Sequence, residues 1–383
     1  MIKILIVAGA MNVGGLENQL MHLLRKADKS KFQIDFTNTD EKAYFESEIE
    51  SLGGRCHLIH STDGGRHLIQ YCRDLYKVIK SGRYDIVHSQ ELFHSGIVLR
   101  VAKVAGVNVR IAHAHNWAEG STIGEKRTLI RRLYTQIMRR WLVQDGTDFC
   151  ACSSLAGEYV FGEKVIHQDN YHVIYNSIDI SKYLDQYNKI ETGEFMDYGW
   201  KNVVQVGRFS DVKNQMFTVR IAEELKNRGK KIRILCAGDY NTPYGEEADK
   251  AIREKGLEDY IQLIGIRKDI DVLLRKSSAF LLPSQYEGMP LVLIEAQAAG
   301  LPCVVADTFS HEVDFNIGKI DWLPINESVE NWTDAVEKAV NQDRADKYSV
   351  IAAIEKYGFS SDRFAQKMCE IYESAIKGNN NND

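Results

Sequence analysis

The stretch Pro283–Pro302, PSQYEGMPLVLIEAQAAGLP, holds two glutamates eight positions apart. Glu287 stands beside Gly288 in a turn-like context. Glu295 stands inside an almost wholly apolar helix, with Pro290 suited to its first position, Gly300 to its C-terminal stop, and Pro302 barring continuation. Between these marks only Glu295 and Gln297 are polar, and the residues three or four away from Glu295 are Leu291, Val292, Ala298 and Ala299. An unpaired carboxylate on such a face costs on the order of several kcal/mol, so Glu295 requires a partner. A structural salt bridge or cap from a neighbouring loop is one solution. A ligand whose hydroxyls a two-oxygen acceptor receives is the other. The start of the same helix offers backbone N–H groups and the positive end of its dipole to an anion. Glu287 and the Gly288–Met289 backbone lead directly into that end.

A diphosphate held there needs positive charge opposite. The segment VVQVGRFSDVKNQ, residues 203–215, supplies it: Gly207 closes a strand, Arg208 and Lys213 follow in a loop, and a helix begins near Asn214. Either cation alone reads equally as a solvated surface charge. Paired with the glutamate element, they read as phosphate contacts.

Outward from these segments, short apolar runs alternate with helical periodicity along the whole chain. KILIVAG, QIDFTN, DIVHSQ, VRIAHAH, FCACSS and HVIYN are strand candidates in the first half, and NVVQVGR, IRILCAG, IQLIG, AFLLPS and PCVVAD in the second. That β-α-β-α rhythm, occurring twice, predicts an α/β protein of two doubly wound Rossmann-like domains, with ligands at the C-terminal ends of the strands. The polar and aromatic stretch Lys182–Lys201 breaks the rhythm and reads as the linker. The expected division is 1–181 for the first domain, joined by a helix at about 360–377, then 182–359 for the second, with a disordered tail at 378–383.

The totals exclude other classes. The 383 residues suffice for two cores, and a net charge of −5, slightly basic before residue 181 and acidic after, argues against general nucleic-acid binding. No apolar run approaches the length of a membrane span, and the N-terminal MIKILIVAGAMN lacks a cleavage pattern. Seven scattered cysteines with no C-x-x-C pair suit a reducing cytoplasm. The run Gly9–Gly15, GAMNVGG, departs from the dinucleotide fingerprint G-x-G-x-x-G. His88, His94, His113 and His115 could imitate a metal cluster, but their spacing fits no common ligand signature.

GRFSDVKNQ followed by PSQYEGMPLVLIEAQAAGLPCVVAD resembles the retaining glycosyltransferases of family 4, which have the GT-B fold. GGLENQLMHLL resembles that family's Gly-Gly-x-Glu helix start, and DIVHSQ, RIAHAHN and VIYNSID resemble later landmarks. The resemblance spans nearly the whole chain. It implies two domains facing a central cleft and a last helix crossing back to the first domain. It implies that Arg208 and Lys213 neutralise a donor diphosphate, and that Glu295 binds the ribose of a nucleotide. Glu287 would approach the donor sugar, with Gly288, Met289, Pro290 and Leu291 around sugar and phosphates and Gly207 beneath. His115 would reach the transferred sugar, while Gly14 and Gly15 let the first-domain backbone approach phosphates or acceptor. No metal or other cofactor is implied, since Arg and Lys stand in for a cation and no Asp-x-Asp motif occurs. The two glutamates would bind rather than act as a glycosidase pair. Retention by a front-face route, with the leaving phosphate taking the acceptor proton, is the family expectation.

The segment Glu125–Gln144, EKRTLIRRLYTQIMRRWLVQ, adds a helical apolar stripe and, between Lys126 and Arg140, six basic residues with no acidic one. It is either a core-facing helix with a solvated basic face or a surface for anionic headgroups and a lipid diphosphate, carried by Lys126, Arg127, Arg131 and Arg132. Together these readings predict a hexosyltransferase taking a UDP- rather than GDP-linked sugar to a polysaccharide or lipid-linked oligosaccharide. Its expected place is the cytoplasm, peripheral on the inner face of the cell membrane. The alternatives are a UDP-sugar 2-epimerase on the same fold and a non-catalytic nucleotide-sugar-binding component of a synthesis complex.

Overall fold

The computed structural model describes residues 1–12, 14–62, 65–116, 129–184 and 199–380. The chain forms two units, residues 1–177 with the C-terminal helix Ser361–Asn380, and residues 178–360. Each is a parallel sheet covered by helices.

The first sheet comprises β1 (Ile2–Val7), β2 (Phe32–Asn38), β3 (Cys56–Leu58), β4 (Ile86–Ser89), β5 (Val109–Ala114), β6 (Asp148–Ala151) and β7 (Tyr171–Val173). Its order is β3-β2-β1-β4-β5-β6-β7. The second comprises β8 (Lys201–Val206), β9 (Ile232–Ala237), β10 (Ile261–Gly265), β11 (Ala279–Leu282), β12 (Cys303–Ala306) and β13 (Ile320–Leu323), in the order β10-β9-β8-β11-β12-β13. Central strands are buried on both faces, which is why they read as unbroken apolar runs: Ile4 to Val7 and Phe280 to Leu282 are fully covered. In each sheet the strand order reverses once, between β1 and β4 and between β8 and β11. Ile4 pairs with Ile86, and Ala279 with Val203.

The edge strands β3 and β13 are additions to the sequence reading. They are short, and most of their residues are only half-buried. Each therefore lacks the apolar run that marks an interior strand.

The C-terminal helix inserts Phe364, Ala365, Met368, Ile371, Tyr372 and Ala375 into the core of the first unit. It continues to Asn380, so residues 378–380 are helical where a tail is expected; 381–383 lie outside the described residues. The expected linker also starts later and ends earlier, since Ser181–Leu184 is helical and Lys201 opens β8.

Candidate functional site

The loops leaving β8 and β11 emerge side by side where the second sheet reverses, the place where an open α/β sheet presents its crevice. Backbone and amide contacts stitch them together. Gln285 N donates to Val212 O at 2.7 Å, and Asn214 Nδ2 to Pro283 O at 3.2 Å. Gln205, buried in β8, donates from Nε2 to Lys213 O at 2.8 Å. Asn214 takes a left-handed φ of 58°, which asparagine tolerates better than most residues. Gly207, at φ 157°, lies against the stem of Lys213. A Cβ there would lie 3.0 Å from Lys213 Cε, and a Cβ on Gly238 would lie 2.1 Å from Gly207 O. The lysine stem thus runs over bare backbone. Its ammonium donates to Glu287 Oε1, and both side chains are largely covered. Arg208, in the same loop, is exposed. Lys213 and Glu287, assigned separately from sequence, meet as an ion pair.

Beyond Glu287 the helix Leu291–Ala298 begins one residue later than expected. Pro290 is its cap, with φ −70° and ψ 106°, and its carbonyl accepts from Leu293 N at 3.0 Å. The extended ψ keeps Pro290 outside the helix and makes Leu291 the first helical residue. Gly288 and Met289 precede it as buried backbone. Ahead of the Leu293 bond, the N–H groups of Leu291 and Val292 have no acceptor within the helix. The two polar residues of the helix divide the work. Gln297 is structural: its side chain donates to Val313 O at 2.9 Å and accepts from Phe315 N at 2.8 Å. Glu295 instead receives a hydrogen bond from Tyr183, a buried residue of the short helix Ser181–Leu184. Sequence reasoning missed Tyr183 because it lies in the stretch read as linker.

A tyrosine hydroxyl is a neutral partner and does not repay the burial of a full charge. Burial therefore pushes the Glu295 carboxyl up to about 7, against the opposing bond from Tyr183 and the nearby Lys182. A carboxyl whose folded value exceeds its ordinary 4.5 stabilises the fold below about 4.5 and loses that contribution as pH rises through about 7. The shift corresponds to ~3 kcal/mol. Glu295→Gln keeps the acceptor for Tyr183 and does not ionise. Denaturant unfolding should therefore show wild-type stability falling relative to Glu295→Gln between pH 4.5 and 7.5. A constant difference would refute the burial of this group.

In the first unit His115 follows β5, and its Nε2 lies 2.6 Å from Gln90 Oε1. His113 stacks on it at 4.2 Å between ring centres, and His88 stacks on His113 at 5.4 Å. The rings lie in layers rather than converging, and among the described residues no group of three His, Cys, Asp or Glu side chains is placed to hold a metal. Gly14 caps the helix Gly15–Lys26 in an extended conformation, so its backbone does not require glycine; a Cβ there would instead fall 2.2 Å from Glu17 Oε2.

The helix Leu129–Asp145 departs from the core-facing reading. Met138 and Leu142 are buried, but Leu129 is 82% and Ile130 81% exposed, and Leu133, Tyr134 and Ile137 are exposed as well. Arg139 is tied to Tyr159 and Val160 carbonyls, whereas Arg132 and Arg140 face outward and Arg131 is half-buried. Lys126 and Arg127 lie outside the described residues.

Residues 197–356 match the family model described as glycosyl transferases group 1, and residues 13–182 match glycosyltransferase family 4. EpsF of Bacillus subtilis (strain 168), whose name designates a glycosyltransferase, is 30% identical over 99% of this chain and 98% of its own length. The capsular polysaccharide biosynthesis glycosyltransferase CapH of Staphylococcus aureus is 28% identical over 77% of this chain and 79% of its own. An Escherichia coli enzyme named UDP-Gal:alpha-D-GlcNAc-diphosphoundecaprenol alpha-1,3-galactosyltransferase is 30% identical over 61% of this chain and 60% of its own. Among solved structures, Anabaena HepE in complex with UDP-glucose superposes with a TM-score of 0.73 at 16% identity, covering 98% of this chain and 100% of its own. The chain belongs to the group 1, family 4 glycosyltransferases and has their GT-B fold.

Proposed function

We propose that this glycosyltransferase moves a hexose from a UDP-linked donor, with retention, to a growing polysaccharide or a lipid-linked oligosaccharide in cell-surface glycan synthesis. The observation that carries the reading is the Lys213–Glu287 pair at the β8/β11 reversal, which leads directly into the helix Leu291–Ala298 that carries Glu295. We assign a UDP donor to these groups. Ribose hydroxyls donate to Glu295, the first-turn amides of the helix Leu291–Ala298 meet phosphate oxygens, and Lys213 and Arg208 carry the diphosphate charge. Glu287, with Gly288 and Met289, then faces the sugar hydroxyls, and Gly207, Pro290 and Leu291 shape the floor. For His115, Gly14 and Gly15 of the first unit, contact with the transferred sugar, the phosphates or the acceptor is what the family resemblance implies. The donor named for the E. coli relative and the UDP-glucose held by HepE support a uridine nucleotide.

In the transfer, the bond from the anomeric carbon to the leaving phosphate oxygen breaks. The acceptor oxygen bonds to that carbon on the same face, and the acceptor proton passes to the leaving phosphate. The diphosphate gains negative charge, which Lys213 and Arg208 stabilise in place of a divalent cation. Turnover should therefore stay within about twofold when EDTA is present, because no step draws on metal-bound charge. A loss restored by magnesium or manganese would contradict this.

The acceptor side rests on the helix Leu129–Asp145. Leu129, Ile130, Leu133 and Ile137 form an outward apolar face with Arg131 and Arg132 beside them, the composition of an interfacial helix. No helix among the described residues is long and apolar enough to cross a membrane. We assign this face to an anionic bilayer on the cytoplasmic side, where all seven cysteines would remain reduced. Co-sedimentation with phosphatidylglycerol vesicles should exceed that with phosphatidylcholine, and Ile130→Glu with Arg132→Glu should abolish the difference. Equal binding to both lipids would return the helix to an ordinary surface.

Nucleotide release from a panel of UDP- and GDP-sugars, with and without lipid-linked acceptor extracts, tests the whole reading. Acceptor-dependent release of UDP is expected. A sugar isomerised without an acceptor, or donor bound without turnover, would overturn it.

A further inference from the structure

Behind His115 a line of polar groups crosses the interior of the first unit to the C-terminal helix. Tyr372, fully buried on that helix, places its hydroxyl 2.8 Å from His88 Nδ1. His88 Nε2 is 3.1 Å from Gln90 Nε2, and Gln90 Oε1 is 2.6 Å from His115 Nε2. The line thus joins residues at the ends of β4 and β5 to a helix more than two hundred residues later in the chain.

The chemistry of an amide gives this line a direction. An amide nitrogen only donates and an amide oxygen only accepts. His88 Nε2, facing the Gln90 nitrogen, therefore carries no hydrogen. Burial holds His88 neutral, with its protonation pushed down to about 3, so its single hydrogen sits on Nδ1 and is donated to the Tyr372 oxygen. His115 Nε2, facing the Gln90 oxygen, carries a hydrogen. Burial pushes His115 down to about 4, so it too is neutral and its Nδ1 is an acceptor. The rings of His113 and its neighbours stack in near-parallel planes, at 8° to His88 and 28° to His115, and His113 is itself buried and held neutral. The layers keep His88 and His115 from rotating out of line.

We infer that Gln90, oriented by His88 and by Tyr372 of the C-terminal helix, is a positioning residue that fixes His115 as the Nε2–H tautomer and leaves its Nδ1 as a hydrogen-bond acceptor. A neutral acceptor nitrogen suits a sugar hydroxyl and disfavours an anionic oxygen, so the arrangement selects a neutral hexose over a hexuronate donor. This specificity rests on the assignment of His115 to the transferred sugar; the tautomer itself does not.

Long-range proton–nitrogen NMR of the histidine-labelled full chain reads the tautomer directly, with the His115 signals identified by their loss in His115→Gln. The wild type should show Nε2–H at His115. Gln90→Leu removes the acceptor and should mix the two tautomers. Gln90→Glu still accepts from Nε2–H, while His88, now facing a carboxylate oxygen, moves its own hydrogen to Nε2 and accepts from Tyr372. The His115 tautomer should be preserved, which also guards against misfolding of the leucine variant. In turnover, Gln90→Leu should lower kcat about tenfold with donor KM within about twofold, and Gln90→Glu should recover most of the rate. Nδ1–H at His115 in the wild type, or an unmoved tautomer in Gln90→Leu, would overturn the inference. Wild-type turnover in His115→Ala would instead overturn the sugar contact and the donor preference built on it, whatever the tautomer.

Discussion

Replacing Lys213 with alanine will lower kcat on the order of a hundredfold to a thousandfold, the range measured when one preorganised charge-stabilising donor is removed. The site leaves little to compensate. Lys213 is held by its own backbone, through Gln205 and Ser210, and by its stem lying over Gly207. It is therefore placed before the donor arrives. In the free chain it is paired with Glu287, so the diphosphate takes over an ammonium that is already desolvated and oriented. Arg208 is exposed and adds charge without that preorganisation. Lys213→Arg should consequently recover only part of the rate, since a planar guanidinium does not fit the path across Gly207. Circular dichroism should show an intact fold in Lys213→Ala, with a modest loss of stability because Glu287, largely covered, is left without its partner. Turnover at the wild-type rate would remove Lys213 from the chemistry.

Glu295→Ala will weaken UDP binding by about tenfold to a hundredfold, corresponding to the ~1.5–3 kcal/mol of a hydrogen bond to a charged group. The pH dependence is the more specific part. Ribose hydroxyls are received best by the ionised carboxylate, and burial holds that group near 7 in the free protein. Below that value binding must first release a proton, so UDP affinity should rise between pH 6 and 8. UDP carries its own ionisation, so the useful quantity is the difference from Glu295→Gln, which cannot ionise. Titration calorimetry should show the affinity gap between wild type and Glu295→Gln widening with pH. Parallel profiles would place the nucleotide elsewhere.

The parts of the site written within one stretch of chain were legible in the sequence. Glu287 and Glu295 share a segment bounded by proline and glycine, and the apolar run between them states that Glu295 needs a partner. Gly207, Arg208 and Lys213 share another. Parallel strands announced themselves because both faces are buried. The rest depends on contacts that no local pattern encodes. Tyr183, which answers the need of Glu295, comes from a polar and aromatic stretch with no periodicity. The line from Tyr372 through His88 and Gln90 to His115 draws on three elements far apart in sequence, and the spacing of the histidines, which spoke against a metal signature, did not show that their rings stack. Periodicity in the helix Leu129–Asp145 identified an apolar stripe, but could not say that of its apolar residues Met138 and Leu142 would be buried while Leu129, Ile130, Leu133, Tyr134 and Ile137 stay exposed.

If the β8/β11 reversal holds a nucleotide diphosphate, a crystal structure of the chain with UDP will show ribose hydroxyls within hydrogen-bond distance of Glu295, phosphate oxygens at the start of the helix Leu291–Ala298, and the Lys213 ammonium turned from Glu287 to the diphosphate. A nucleotide bound away from these residues, with the Lys213–Glu287 pair undisturbed, would contradict it.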